Sequence, residues 1–320
     1  MKIAFVGKGG SGKTTLSSLF IRHLAAAGRP VLAMDADINQ HLAVALGMDE
    51  REAAAIPTLG DHLPEIKDYL RGDNPRIPSG AVMVKTTPPG RGSRRLPVTG
   101  PDPLLDRLSV RMLGARLLAT GAFTEEDLGV ACYHSKVGAV ELLLNHLLDG
   151  PGEYVVVDMT AGADAFASGL FTRFDRTFLV VEPTRKAVAV YRQYRDYAAT
   201  YDIPLSVIGN KITGSEDVAY LRDQIGDDLL VCLGHSPAVR AMEQGRPLSI
   251  DDLEASTRTA LDTIHHTVDA TPRDWDRLTR QMVDFHLKNA RAWANEATGT
   301  DLAAQVDPDF VLGPDLLASR

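Results

Sequence analysis

Short, continuous runs of apolar residues recur along the chain, and each run is bounded by polar or turn-forming residues. Runs without alternation between apolar and polar positions are typical of strands buried on both faces, as in a parallel sheet covered by helices. Six segments have this pattern, the last one more weakly: 3–6, 31–34, 155–157, 178–181, 205–208 and 229–233. These segments predict the strands of one central sheet.

Between the predicted strands, apolar residues recur at helical spacing. Segment 14–27 is a clear case, and its pattern stops at Gly28, a residue type common just after a helix. Segments 136–148 and 187–201 also predict helices. Strands that alternate with helices indicate an α/β fold, a doubly wound and mostly parallel sheet with helices on both faces.

Two segments depart from this pattern. Residues 71–103 are rich in Pro, Gly and Arg, which predicts an insertion on the surface. Residues from about 275 to 293 have helical periodicity, and the tail after Gly299 has none. We therefore expect a main domain over 1–270 that carries the insertion, followed by a C-terminal helical extension and tail over 271–320.

The amino-acid composition limits the classes of partner that the protein is expected to bind. The 320 residues are 44% hydrophobic, which is ordinary for a globular protein, and the net charge of -8 disfavours general binding to nucleic acid. No apolar run approaches the roughly 18 residues that span a bilayer, and the start of the chain lacks the layout of a signal peptide. With only two cysteines, no disulfide framework is indicated. We expect a cytoplasmic protein with neither a membrane nor a nucleic-acid partner.

Residues 7–14 match the phosphate-loop pattern G-x-x-x-x-G-K-[ST] between a predicted strand and a predicted helix. Glycines let backbone N–H groups turn toward phosphate oxygens, and the helix N-terminus adds its positive dipole end. Lys13 would reach the β- and γ-phosphates, and Thr14 would hold Mg²⁺. The alternative, a glycine-rich turn without a ligand, is disfavoured by this placement. The pattern predicts an ATP site built from Gly9, Gly10, Ser11, Gly12, Lys13, Thr14 and Thr15.

A second lysine, Lys8, lies inside this loop, where spacing alone gives it only the role of a solvated charge. The run Lys-Gly-Gly-Ser-Gly-Lys-Thr-Thr resembles the deviant Walker A motif of the MinD/ParA class of ATPases. The resemblance implies a P-loop ATPase of slow turnover that forms a homodimer with nucleotide between its subunits. It also implies that Lys8 crosses the interface to the partner's nucleotide.

Carboxylates follow two of the predicted strands. Asp35 and Asp37 end the second strand, and Asp158 follows the segment 155–157. In an open parallel sheet the ligand lies beyond the carboxyl ends of the strands, where carboxylates can hold metal-bound water or orient the attacking water. Asp35 and Asp158 would lie near Mg²⁺, and the resemblance implies that Asp37 polarises the water. Gly162 would sense the γ-phosphate through its N–H. The alternative is that one of the first two aspartates caps the next helix.

Two later segments suggest where the base lies. Asn210 and Lys211 follow a further predicted strand, so the amide could face a purine edge and the lysine stem could lie on the ring. The related ATPases place an Asn-Lys pair at this point for adenine. Pro237 resembles the later loop of that family on the base side.

Cys132 and His134 precede a predicted helix that leads into the strand ending at Asp158. This layout resembles the CooC family, the nickel-insertion ATPases for carbon monoxide dehydrogenase, although those have Cys-x-Cys where this chain has Cys-x-His. Thiolate and imidazole are both good ligands for Zn²⁺ or Ni²⁺, and a two-fold interface would supply two of each. The alternative is a buried Cys132 that packs as a small hydrophobe and a His134 that bonds near the helix start.

The resemblance implies a Mg-dependent, ATP-hydrolysing dimeric switch that serves as a metal-centre maturation factor or metallochaperone for an unidentified client protein. The alternative is a nucleotide-switched positioning or scaffold protein of the MinD/ParA type. Such a protein needs a surface anchor, and residues 308–320 contain one basic residue and no basic amphipathic helix. The insertion and the extension fit the short maturation factors poorly, so the client stays open.

Overall fold

The computed structural model describes residues 1–37, 39–122, 133–162, 166 and 169–318. Within them, most strands coincide with buried apolar runs, as expected for parallel strands. The strands are β1 (Lys2–Gly7), β2 (Val31–Ala36), β3 (Leu96–Pro97), β4 (Val110–Met112), β5 (Ala115–Ala119), β6 (Leu147–Leu148), β7 (Tyr154–Ala161), β8 (Arg176–Val181), β9 (Leu205–Ile212) and β10 (Leu229–Gly234).

Helices fill most of the connections. They are α1 (Lys13–Ala26), α2 (Leu42–Ala45), α3 (Glu50–Ala54), α4 (Leu63–Arg71), α5 (Pro103–Leu108), α6 (Tyr133–His146), α7 (Arg185–Thr200), α8 (Ser215–Ile225), α9 (Pro237–Glu243), α10 (Ala255–Asp269), α11 (Trp275–Asn289), α12 (Asn295–Thr298) and α13 (Asp315–Ala318). Shorter 3₁₀ turns lie at Gly80–Val82, Gly169–Thr172, Gly226–Asp228, Ile250–Asp252 and Leu302–Gln305, and a π-helical turn lies at Ala290–Ala294.

Eight strands form the main sheet in the order β10-β9-β8-β1-β7-β2-β5-β4. Every neighbouring pair in it is parallel except β4 with β5, which is antiparallel. All six predicted strands are present in this sheet, so the predicted doubly wound α/β fold is confirmed. Because the strands are parallel, the carboxyl ends of β2, β7, β1 and β8 lie side by side at one edge.

Alternate residues of each central strand face opposite layers of helices. Ile3 and Phe5 belong to the core that α1 and α10 cover, whereas Ala4 and Val6 belong to the core on the side of α6 and α7. All four of these side chains are at most 2% exposed. The two cores hold the sheet rigid, which fixes the positions of the loops at its carboxyl edge.

The insertion is not the surface segment that its composition predicts. Within 71–103, apolar side chains such as Ile77 and Met83 are fully buried. Both belong to the core on the side of α6 and α7, whereas the C-terminal extension packs on other residues of the insertion: Asp307 pairs with Arg91 at 2.9 Å, and Gln305 accepts a hydrogen bond from Thr87 at 3.1 Å. The surface prediction is wrong for these residues, because they pack against strands and helices from distant parts of the chain, which composition alone does not reveal.

The extension packs on the body through α11, which begins at the predicted residue, Trp275. Its Arg277 is buried and donates to the carbonyl of Phe174 at 2.9 Å, which ties α11 to the segment before β8. The π-helical turn continues α11 to Ala294, so the helical stretch covers the predicted 275–293. No helix in the described part of the chain is long and apolar enough to cross a bilayer.

Candidate functional site

The glycine-rich loop joins β1 to α1 at the carboxyl edge of the sheet. Gly10 and Gly12 have φ angles of 80° and 95°, in the left-handed region that favours glycine. Ser11 N donates to the carbonyl of Lys8 at 3.0 Å, which closes a tight turn. A Cβ atom at Gly12 would lie only 2.3 Å from the amide nitrogen of Asn210. The left-handed conformation therefore favours glycine at position 12, and a side chain there would also displace the Asn210 amide from the loop.

Lys13 is the buried cation of the site. Its Nζ donates to Asp37 Oδ2 at 2.6 Å and lies 3.8 Å from Asp158 Oδ1, and Lys13 is only 7% exposed. Burial alone would lower the pKa of Lys13, but the carboxylates of Asp158 and Asp37 raise it. Burial would raise the pKa of Asp37, but Lys13 and Asn39 hold it below its ordinary value. The pair is therefore ionised at neutral pH.

Asp35 and Asp158 stand directly opposite each other on the paired strands β2 and β7. Burial, and then repulsion from Asp158, raises the pKa of Asp35 to about 8. Burial raises the pKa of Asp158 to about 6 against the attraction of Lys13. Asp35 accepts from the backbone N–H groups of Asp37 at 3.1 Å and Leu42 at 2.9 Å. It therefore also holds the first residue of α2, as in the capping alternative.

The donor set beside Asp158 fits a hard divalent cation. Asp158 Oδ2 accepts from the hydroxyl of Thr14 at 2.6 Å, while the buried Oδ1 accepts no hydrogen bond from any residue that the structure describes. Carboxylate and hydroxyl oxygens are ligands that Mg²⁺ prefers, and it usually takes further oxygens from water and phosphate. Among the described residues no group of three or more His, Cys, Asp or Glu could hold a metal ion by itself. A cation here would therefore need oxygens from the nucleotide.

A pocket of about 480 Å³ opens beside the loop, between the first turn of α1 and the segment 233–243. This volume is within the range of small-ligand sites. Its lining includes the following residues singled out from the sequence: Gly12, Thr15, Asn210, Lys211 and Pro237. Thr15 donates its hydroxyl to Glu243 at 3.0 Å, a residue that the sequence analysis missed. The pocket adjoins the loop where a nucleoside would follow the phosphates.

Asn210 and Lys211 line this pocket, but their side-chain nitrogens bond to the phosphate loop. Asn210 Nδ2 donates to the carbonyl of Ser11 at 2.8 Å. Lys211 Nζ donates to the carbonyl of Gly10 at 2.5 Å and to Glu182 at 2.6 Å. Sequence reasoning also missed Glu182, although it directly follows a predicted buried strand, the same signal that identified Asp158.

Lys8 and Gly162 lie at the rim of the site. Lys8 is exposed, as are Gly9 and Gly10, and in the part of the chain that the structure describes Lys8 has no ion-pair partner. Gly162 follows β7 with a φ of 71°, and its carbonyl accepts from the hydroxyl of Tyr194 at 3.1 Å. The structure thus brings all the predicted nucleotide residues to one edge of the sheet.

The predicted transition-metal ligands, Cys132 and His134, lie at a boundary of the described residues. Cys132 lies outside the described residues, and His134 lies in the first turn of α6 with a side chain outside them. The other cysteine, Cys232, is a half-buried free thiol on β10. The prediction of a metal site at Cys132 and His134 therefore stays a prediction.

Comparison with known proteins places this site in a family. A sequence model of the CobQ/CobB/MinD/ParA nucleotide binding domain matches residues 3–270. The chain is 31% identical over 261 residues to the carbon monoxide dehydrogenase accessory protein CooC of Rhodospirillum rubrum, covering 81% of this chain and 92% of that protein. It is 30% identical to an uncharacterized ATP-binding protein of Methanocaldococcus jannaschii, covering 80% and 93% of the two chains.

Solved structures show the same fold. The septum site-determining protein MinD of Pyrococcus horikoshii, solved with Mg-ADP, matches with a TM-score of 0.56 at 19% identity, covering 84% of this chain and 96% of that one. The resemblance to the MinD/ParA class and to CooC that the loop sequence indicates is thereby confirmed. The chain belongs to the CobQ/CobB/MinD/ParA nucleotide-binding family, as a P-loop ATP-binding protein similar to CooC.

Proposed function

We propose that the protein is a slow, Mg²⁺-dependent ATPase that acts as a dimeric switch. The observation that carries this proposal is the buried contact of Lys13 with Asp37 and Asp158 at the mouth of a glycine loop. A lysine ammonium held by carboxylates, beside the backbone amides of the loop, is ready to exchange an aspartate for phosphate oxygens. No membrane or nucleic-acid partner is part of the proposal, and we place the protein in the cytoplasm.

Each residue has a distinct task in the proposed reaction. When ATP binds, Lys13 leaves Asp37 for the β- and γ-phosphates, which frees the Asp37 carboxylate to orient the attacking water. Thr14 and Asp158 would hold Mg²⁺, which would supply positive charge to the phosphate oxygens. The Gly162 N–H senses the γ-phosphate. The products are ADP and phosphate, and their release resets the segments that follow Asp35 and Asp158.

The homodimer part of the proposal rests on Lys8. This lysine is exposed at the tip of the loop, next to exposed Gly9 and Gly10. A cation without an ion-pair partner among the described residues, beside a triphosphate site, can reach a second nucleotide only if another chain approaches this face. We therefore place the partner's nucleotide against Lys8 in the ATP-bound dimer.

Asp37→Ala tests the switch. The variant should bind ATP, because Lys13 and the loop amides remain, but it should hydrolyse ATP at least about 100-fold more slowly, since the residue that orients water is lost. Light scattering after gel filtration should then show a dimer with ATP and a monomer without nucleotide. A variant that stays monomeric with saturating ATP would contradict the dimeric switch.

The client of this switch is, we propose, a metalloenzyme that receives nickel or zinc. The similarity to a carbon monoxide dehydrogenase accessory protein supports this, as does the sequence Cys132-x-His134. In a two-fold dimer the segment would supply two thiolates and two imidazoles to one cargo ion. The insertion and the extension, which pack against each other, would belong to the surface that meets the client.

The metal content of the purified protein tests the proposed role in metal delivery. Protein with Mg-ATP and Ni²⁺ or Zn²⁺ should retain about one ion per dimer after desalting. Cys132→Ser and His134→Ala should abolish that retention, whereas Cys232→Ser, which removes the thiol on β10, should not. Equal retention in all variants would refute the metal role, and ATP-dependent binding to DNA or liposomes would favour the alternative of a positioning or scaffold protein.

A further inference from the structure

The end of β9 contains an irregularity beside the phosphate loop. In its pairing with β10, Cys232 faces Gly209 and Gly234 faces Ile212, so β9 carries one extra residue in this interval. Within this bulge Lys211 has a φ of 60°, a left-handed conformation that is uncommon for residues other than glycine. Bulges beside sites turn a side chain to a new direction, and strained residues cluster where function requires them.

The bulge directs Lys211 onto the loop. Its Nζ donates to the carbonyl of Gly10 at 2.5 Å and to Glu182 Oε1 at 2.6 Å. Glu182 directly follows β8, which lies between β1 and β9 in the sheet. The carboxylate therefore stands between the phosphate loop on one side and the bulge on the other, where it can fix the ammonium group against the carbonyl.

This contact controls the orientation of one peptide unit of the loop. The C=O and N–H of a trans peptide point in opposite directions, so the grip on the Gly10 carbonyl also sets the N–H of Ser11. That N–H donates to the carbonyl of Lys8 at 3.0 Å and closes the turn from which Lys8 projects. Asn210 holds the next carbonyl, that of Ser11, at 2.8 Å. Two consecutive peptides of the loop are thus anchored from β9.

We propose that Glu182 is a positioning residue of the phosphate loop, acting through Lys211 on the carbonyl of Gly10. The inference rests on the proposed function, because it assumes that the loop binds triphosphate. The side chains of Lys211 and Glu182 are 43% and 22% exposed, so the contact is partly screened by solvent. Its loss should weaken triphosphate binding by a factor of about three to ten.

Two ligands separate this role from contact with the base. Dissociation constants are measured for Mg-ATP and for magnesium with inorganic triphosphate, which lacks base and ribose. Lys211→Met keeps the aliphatic stem but loses the ammonium, and Glu182→Gln loses the charge that fixes it. Both variants should bind both ligands about three- to tenfold more weakly, and Lys211→Arg should restore most of the affinity. Glu65→Gln, which breaks an exposed pair between α4 and Arg107 of α5, should change neither constant.

A charge exchange tests the contact with Gly10. Glu182→Lys combined with Lys211→Glu restores an ion pair but places a carboxylate, which only accepts, against the carbonyl. The positioning role predicts no recovery of affinity, whereas recovery would overturn it. Unchanged constants in Glu182→Gln, or weaker binding of ATP alone, would also overturn it. A wild-type chain that binds neither ligand would instead refute the proposed function.

Discussion

Asp158→Asn should stabilise the nucleotide-free protein while abolishing its response to Mg-ATP. Burial raises the pKa of Asp158 from 3.8 to about 6, so the folded state resists its ionisation. This difference corresponds to about 3 kcal/mol of unfavourable free energy when the carboxyl group is ionised. An asparagine at this position has nearly the same shape, and its carbonyl can still accept from Thr14. We expect a gain of about 1 to 3 kcal/mol, or about 1.5 to 4.5 °C in Tm for a chain of 320 residues.

The sign of the pH dependence follows from linkage. Because the pKa of Asp158 is raised in the fold, its penalty is absent below the unfolded value, grows as pH rises through the folded value, and is complete above it. The Tm difference between the variant and the wild type should therefore be largest near about pH 8 and shrink toward about pH 4. Differential scanning calorimetry without nucleotide measures it.

Asp35→Asn is the informative control. Burial also raises the pKa of Asp35, but both of its oxygens accept backbone N–H groups, so an amide would place one N–H against another. Its gain should be smaller than that of Asp158→Asn, or negative. A Tm for Asp158→Asn that equals or falls below the wild-type value near about pH 8 would refute the assignment of Asp158 as a buried, unfavourably ionised carboxylate.

Three further changes test other parts of the structure. Gly12→Ala should lower the free energy of unfolding in urea by about 1 to 3 kcal/mol and weaken ATP binding, because residue 12 has a left-handed φ and a Cβ would lie 2.3 Å from the Asn210 amide nitrogen. Unchanged stability and binding in this variant would contradict the loop geometry. The rings of His23 and His265 lie 3.3 Å apart between their nitrogens, and burial lowers the pKa of both. The unfolded chain therefore binds protons first, so the Tm of the wild type should fall as pH drops below about 6.5. The Tm of His23→Leu should fall less over the same pH range. Gln305→Leu should cost about 1 to 3 kcal/mol, because the Thr87 hydroxyl loses its acceptor and the partly buried carbonyl of Val82 loses its donor. Wild-type stability in urea unfolding of this variant would mean that the extension does not hold the insertion.

The fold could be predicted from the sequence wherever residues close together in the chain determine the structure. Uninterrupted apolar runs identified the strands, and the loop motif placed itself between β1 and α1. Strand β5 (Ala115–Ala119) was missed because Arg116 interrupts its run, yet Arg116 is buried and donates to the carbonyl of Gly100 at 3.1 Å. This charged residue of a buried strand is held by contacts with Gly100 and Asp106, and no local pattern reveals them.

Part of the candidate site, like part of the fold, could be predicted from local sequence, and part depends on tertiary contacts. The phosphate loop and its aspartates follow from residue types at fixed spacing, and the structure brings them together. The bonds of Asn210 and Lys211 to the loop depend on a bulge and a left-handed residue, and neither leaves a signature in the sequence. The buried part of the insertion has the same cause on a larger scale, because its apolar residues pack in the core with strands and helices from distant parts of the chain.

Equilibrium binding of a slowly hydrolysed ATP analogue with Mg²⁺ tests the central claim most directly. The account predicts about one nucleotide bound per chain for the wild type and none in the same concentration range for Lys13→Ala, which removes the ammonium group that would hold the phosphates. A wild-type chain without measurable affinity, or a Lys13→Ala variant with undiminished affinity, would contradict it.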